Sequence, residues 1–207
     1  MSRRKKRHFN PVNFLKEWGG FILFMTLFVI SRYTLWNPVT VDGHSMDPTL
    51  TNQDKLIVLL HTKIERFDIV VANSVDDKGE LTQIVKRVIG MPGDVVSFKD
   101  DQLTINGQVV DEPYLEEYLA AFQKDKLQAT YSYNSYFQEL AQKSPSFTTD
   151  SNFVSEFTVT VPEDQYFLVG DDRIVSKDSR HVGTYSEESL VGEVKLRFWP
   201  IPQFKLF

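Results

Sequence analysis

Ser45, at the centre of Val41-Asp-Gly-His-Ser-Met-Asp-Pro-Thr-Leu50, is where the chain's potential chemistry gathers. A serine in such a loop equally suits a turn or a helix cap, as does the Asp47-Pro48 that follows it. Two later stretches change its meaning. Ile84-Val-Lys-Arg-Val-Ile-Gly-Met-Pro-Gly-Asp94 sets Lys86 among apolar residues, and Gly170-Asp-Asp-Arg-Ile-Val-Ser-Lys-Asp-Ser-Arg180 crowds charges and hydroxyls into eleven positions. A serine hydroxyl is a weak nucleophile until a neighbouring base takes its proton, and these clusters supply candidate bases.

Known local frames for a reactive serine fail here. Gly-x-Ser-x-Gly breaks at Asp47 and Ser-x-x-Lys breaks at Pro48. A zinc hydrolase has no His-Glu-x-x-His among His8, His44, His61 and His181, so neither a metal nor another cofactor is expected. His44 adjoins Ser45, but in an extended segment adjacent side chains point to opposite faces. His181 could complete a Ser-His-Asp set with Asp178 or Asp171. Lys86, if 84–88 is a strand, shares its face with Ile84 and Val88, the face that is usually buried. Burial is what a lysine base needs. From a pKa of ~10.4, neutralising it at pH 7 costs roughly 4.6 kcal/mol, and desolvation can lower such a pKa by up to ~5 units. On spacing alone, Lys86 could instead reach solvent or pair with a carboxylate.

In this order, Ser-Met-x-Pro-Thr, Lys-Arg and Gly-Asp-x-Arg…Asp-Ser-Arg resemble the boxes of type I signal peptidases, membrane-anchored serine proteases with a Ser/Lys dyad. The resemblance runs with gaps from the N-terminal apolar segment to about residue 199, and the short chain and short inserted region are similar to the Gram-positive branch. It implies Ser45 as nucleophile, Lys86 as general base and Arg87 as part of the same box. It further implies that Ser176 orients the lysine amine, that Asp178 and Arg180 form a supporting ion pair, and that Asp171 and Arg173 belong to the site. Gly43, Met46 and Pro48 are then expected to shape the loop and the substrate cleft. Asp172 and Lys177 read as solvated charges of an acidic turn.

The chain departs from that pattern in three places. Gly43 stands where many relatives place a hydroxyl oxyanion donor, which leaves the Ser45 N–H as one donor and the second unassigned. Gln53-Asp54 replaces Gly-Asp, and Gly170-Asp171-Asp172 replaces Gly-Asp-Asn. The implied activity is removal of signal peptides from secreted preproteins after a small-x-small motif, through an acyl-enzyme. A membrane-tethered binding module and a self-cleaving repressor are the competing readings, the latter opposed by the apolar N-terminal segment and the lack of a DNA-binding segment.

The elements that must position these residues are mainly β. Runs at 55–60, 67–72, 82–89, 95–98, 103–105, 108–110, 156–161, 166–169 and 191–199 carry strand patterns. Asn106-Gly107 signals a hairpin, and Met91-Pro-Gly-Asp94 a type II turn expected to fold 95–98 back onto the lysine strand. The expected fold is an antiparallel sheet or partly closed barrel with a small α/β lobe inserted at about 112–155. Helical spacing of Leu115, Tyr118, Leu119 and Phe122 predicts a helix there, and 133–142 a second.

The address is written in charge. Residues 1–36 hold seven basic residues against Glu17 alone, so 16 basic and 27 acidic residues fall in the remainder, a net of −11. That acidic body disfavours nucleic acid as a partner. An apolar run of about 14 residues extends to roughly 20 between Phe14 and Trp36 when Lys16 and Arg32 snorkel, which predicts a retained span with the lipid bilayer as partner. No small-x-small site follows it to suggest cleavage. The basic 1–13 segment is expected to be cytoplasmic, 14–36 the anchor, and 37–207 an extracytoplasmic catalytic domain. Ser45 is nine positions beyond Trp36, which caps their separation at about 30 Å.

Overall fold

The computed structural model describes residues 11–76 and 78–207, so the basic cluster Arg3–Arg7 lies outside the described residues. It opens with one helix, α1 (Pro11–Thr34), of which no residue is buried against the rest of the chain. Its 24 residues span about 36 Å, enough to cross a hydrocarbon layer of ~30 Å. The helix stops two residues before the expected end of the anchor. Trp36 already belongs to the edge strand β1 (Trp36–Thr40), and Arg32 reaches across the joint to the Trp36 carbonyl and the Asn37 side chain. Pro38 fits there because an edge strand leaves one side of its backbone unpaired.

The remaining strands are β2 (Lys55–Leu59), β3 (Ile69–Val75), β4 (Leu81–Gly90), β5 (Val95–Lys99), β6 (Gln102–Ile105), β7 (Gln108–Val110), β8 (Glu156–Thr160), β9 (Gln165–Val169), β10 (Tyr185–Ser186), β11 (Leu190–Trp199) and β12 (Lys205–Leu206). Every pairing among them is antiparallel. One sheet runs β1-β2-β11-β3-β4-β9-β10, with β12 added on β11, and a second runs β7-β6-β5-β8. The fold is therefore mostly antiparallel β with a few helices, as the sequence pattern predicts.

The Met91–Asp94 turn forms as expected. The Asp94 amide donates to the Met91 carbonyl, and Gly93 takes the positive φ that the third position of a type II turn demands. The strand after it does not return to β4. β5 pairs with β6 and β8 in the second sheet instead. Asp94 directs this departure: its carboxylate binds Arg66 and Asn106, while its carbonyl accepts from Val161 at the end of β8. The Asn106-Gly107 hairpin joins β6 to β7 with both residues at positive φ.

Between β7 and β8 lie the helices α2 (Glu116–Asp125) and α3 (Ser135–Lys143). The apolar face foreseen from spacing is buried: Leu115, Tyr118 and Phe122 pack with Leu127, Tyr131, Ala141 and Phe147. Asn134 caps α3 by accepting from the Tyr136 and Phe137 amides. This lobe core rests on Ile174 and Val175, inside the third polar cluster.

Candidate active site

Ser45 sits in a compact turn and not in an extended segment, so alternation is not what separates it from His44. The turn is held from both sides. Met46 and Leu50 are buried with Leu56, Val58, Val71 and Val194, and the Val41 amide donates to the Asp54 carbonyl. Asp54 binds the Thr51 amide and receives Arg197 from β11 at 2.8 Å. Gln53, where the resemblance leads one to expect glycine, occupies the left-handed region at φ 72°, a conformation glycine adopts more readily. The Gly43 amide donates to Asn52, and Pro48 follows a cis peptide. The His44 ring is held by Asp47 at 2.9 Å and packs on Tyr133 and Phe137 of the lobe.

Lys86 lies on β4 opposite Val70 of β3 and is buried, as is Arg87 on the other face of the strand. Its Nζ is 2.7 Å from Ser45 Oγ and donates to the Val85 carbonyl at 2.9 Å. Burial pulls its pKa down to about 8 despite the opposing pull of Asp178 and Asp171. That places neutral amine in roughly one molecule in ten at pH 7, for about 1.4 kcal/mol. His181, on the short helix α4 (Ser179–Val182), lies 3.9 Å from Asp178 and lines a different cavity from the one that holds Ser45 and Lys86.

The third cluster reaches the pair through register. Arg87 lies opposite Val169 at the end of β9, so Gly170 and Asp171 emerge beside Lys86. Arg87 grips Asp171 with two bonds of 2.8 and 2.5 Å and stacks its guanidinium over Tyr114 at 3.8 Å. Arg180 binds Asp178 through both oxygens at 2.9 Å, and Asp178 also accepts from the Gly170 amide. Burial alone would push the Asp178 carboxyl up, yet Arg180 and these hydrogen bonds hold it well below the usual range. Arg173 is buried between Glu112, Thr148 and the Gly170 carbonyl. Breaking one half of such a buried pair typically costs 3–5 kcal/mol.

Gly170 is where the stretches touch. A Cβ built there would stand 2.2 Å from Ser176 Oγ and 2.4 Å from the Ser45 carbonyl oxygen. Ser176 Oγ itself is buried and makes no hydrogen bond among the described residues, so in this arrangement Val85 and not Ser176 engages the lysine amine. Asp172 is a correction to the sequence reading. It is fully buried, accepting from Tyr131 at 2.6 Å, because the lobe covers it. Lys177 is exposed, as read.

Glu112, Tyr114, Tyr131 and Thr148 were not identifiable beforehand, since they belong to the inserted segment and no spacing ties them to the boxes. Among the described residues no cluster of His, Asp and Glu is arranged to hold a metal.

Comparison with known proteins decides what this geometry belongs to. The family model described as signal peptidase, peptidase S26, matches residues 15–199. The chain belongs to that family. A signal peptidase I of Streptococcus pneumoniae is 50% identical over 202 residues, covering 94% of this chain and 98% of that protein. Signal peptidase IB of Staphylococcus aureus is 37% identical over 190 residues, covering 89% and 88%. A crystal structure of a signal peptidase I from Enterococcus faecalis is 31% identical, covers 64% of this chain and 97% of that one, and gives a TM-score of 0.44. The chain is thus a signal peptidase I, a serine peptidase with one N-terminal apolar helix consistent with a membrane anchor.

Proposed function

We propose that this signal peptidase, which removes signal peptides from exported preproteins, does so with Ser45 as nucleophile and neutral Lys86 as general base. The observation that carries the assignment is the 2.7 Å contact between a buried amine and the serine hydroxyl. One Lys86 N–H is taken up by the Val85 carbonyl, which leaves the amine lone pair for the Ser45 proton. Ser45 attacks the scissile carbonyl, the lysine returns its proton to the departing amine, and water hydrolyses the acyl-enzyme. The Ser45 N–H, free of any acceptor in the described residues, is one oxyanion donor.

A cleft of about 430 Å³ leads to the dyad between Val39–Asp42 and Thr82–Lys86. β9 pairs with β4 only from Arg87 onward, so residues 81–86 present an open strand edge to which an extended substrate can add. Val41, Met46 and Val71 give the cleft an apolar lining, which suits small side chains such as alanine before the cut. Arg87–Asp171, Arg173–Glu112 and Asp178–Arg180 form the rigid frame behind the dyad. Helix α1 is the anchor, N-terminus cytoplasmic, and the β domain works outside at the bilayer surface; the basic N-terminal run and acidic body support that orientation.

The pH dependence tests the base. Because Lys86 acts only when neutral, cleavage of an Ala-x-Ala preprotein in detergent micelles is expected to rise about tenfold per pH unit and level off near pH 8. His181→Ala should leave that curve in place. A rise centred on pH 6–7 that disappears in His181→Ala would replace Lys86 with histidine.

A further inference from the structure

We infer that Asp172 is a positioning residue for the nucleophile, fastening the inserted lobe to the turn that carries Ser45. The inference rests on the assignment of Ser45 above and extends it to residues outside the dyad. Asp172 holds both sides of the joint. Its carboxylate Oδ1 accepts from the Tyr131 hydroxyl at 2.6 Å, and its backbone amide donates to the Ser45 carbonyl at 3.1 Å. Its own carbonyl accepts from Ser176 at 3.0 Å, closing the loop beneath Gly170.

Tyr131 is a rigid handle. It is fully buried, its ring meeting Phe137 edge-on at 5.6 Å and Tyr118 at 6.4 Å, and its amide is bonded to the Leu127 carbonyl. Any shift of the lobe therefore reaches the Ser45 carbonyl through two hydrogen bonds. Those bonds sit in a costly place. Asp172 Oδ2 and Asp47 Oδ1 are both buried without partners among the described residues, and Asp47 follows Ser45 by two positions. Burial pushes the Asp172 carboxyl up to about 7 and the nearby Asp47 adds to this, against the Tyr131 hydroxyl and the Val175 and Ile174 amides, which favour its charged form. A scaffold free to choose would fill this seam with apolar side chains, since an unsatisfied buried polar group costs ~1–3 kcal/mol. Retaining the polar link makes sense if it fixes the nucleophile. An asparagine would make the same bond from Tyr131 without the buried charge, so the acceptor oxygen is the functional part.

The test compares Tyr131→Phe, Asp172→Asn and Asp172→Leu with wild type in the full-length, detergent-solubilised protein at pH 9, where Lys86 is mostly neutral. Three quantities are read: kcat and KM on an Ala-x-Ala preprotein, the labelling rate of Ser45 by a fluorophosphonate, and the melting temperature. Tyr131→Phe is expected to lower kcat and labelling together by about tenfold with KM within about twofold, as a small misplacement of a reacting group does. Asp172→Asn should remain within about threefold of wild type, and Asp172→Leu should fall with Tyr131→Phe. A lower melting temperature with unchanged kcat in Tyr131→Phe would reduce the link to scaffolding and overturn the inference, as would equal losses in the Asn and Leu variants. Failure of wild-type Ser45 to be labelled would instead remove the nucleophile assignment and this inference with it.

Discussion

Lys86→Met is expected to cut preprotein cleavage by at least about a thousandfold while making the protein more stable. The loss follows from the base: without it the Ser45 proton has no acceptor, and positioned acid–base groups contribute ~10²–10⁴ in rate. The gain follows from linkage. Lys86 has a folded pKa of about 8, below its ordinary 10.5, so the native state is penalised for holding the proton. That penalty is fully present below pH 8 and fades as pH rises towards 10.5. At pH 7 it amounts to roughly 3 kcal/mol, which methionine, of similar length and uncharged, removes. Ser45→Ala should be equally inactive, and the double variant no worse than either single one, because the two groups act as a unit. Cleavage rates and melting temperatures at pH 7 and 10 check all of this. A Lys86→Met enzyme that retains a tenth of its activity would remove lysine from the mechanism.

Gly170→Ala is the second large effect, with an expected loss of at least about a hundredfold in kcat/KM. The added methyl would stand 2.2 Å from Ser176 Oγ and 2.4 Å from the Ser45 carbonyl. The Ser176 hydroxyl can rotate, although its Cβ would also stand 2.6 Å away, whereas the carbonyl belongs to the nucleophile's own backbone and moves only by displacing it. Overpacking of this kind costs ~1–3 kcal/mol in stability, and a misplaced nucleophile adds a kinetic loss beyond that. The second-site variant Ser176→Gly separates the two clashes. Gly170→Ala with Ser176→Gly should recover stability and not rate. Recovery of both would mean that only the Ser176 side chain, and not the Ser45 backbone, is crowded.

What the chain discloses and what it conceals divides along contact range. Lys86 is legible as a base through the Lys-Arg box it forms with Arg87, a local property, since the strand's period of two by itself leaves the amine free to reach solvent. The Met91–Asp94 turn and the Asn106-Gly107 hairpin were legible for the same reason. The partner of β5 was not: alternation in Val95–Phe98 says that the strand has a buried face but not which sheet covers it, and Asp94 settles that through Arg66, 28 positions away. Asp172 was misread as solvated because the hydroxyl that buries it comes from residue 131, in a segment without a recognisable motif. β1 was hidden by its neighbours, the aromatic end of α1 and the proline at 38.

Arg197 carries a consequence for when the enzyme becomes able to cut. It stands 148 positions after Thr49, yet its guanidinium binds the Thr49 carbonyl and Asp54, the two groups that shape the far side of the Ser45 turn. β11, on which it lies, is also the strand wedged between β2 and β3. A nascent chain that has emitted both Ser45 and Lys86 therefore still lacks the strand that seats them. The geometry of the dyad therefore depends on a strand 148 positions beyond Thr49, and a chain synthesised only as far as Lys86 holds both reacting groups without the seat that aligns them.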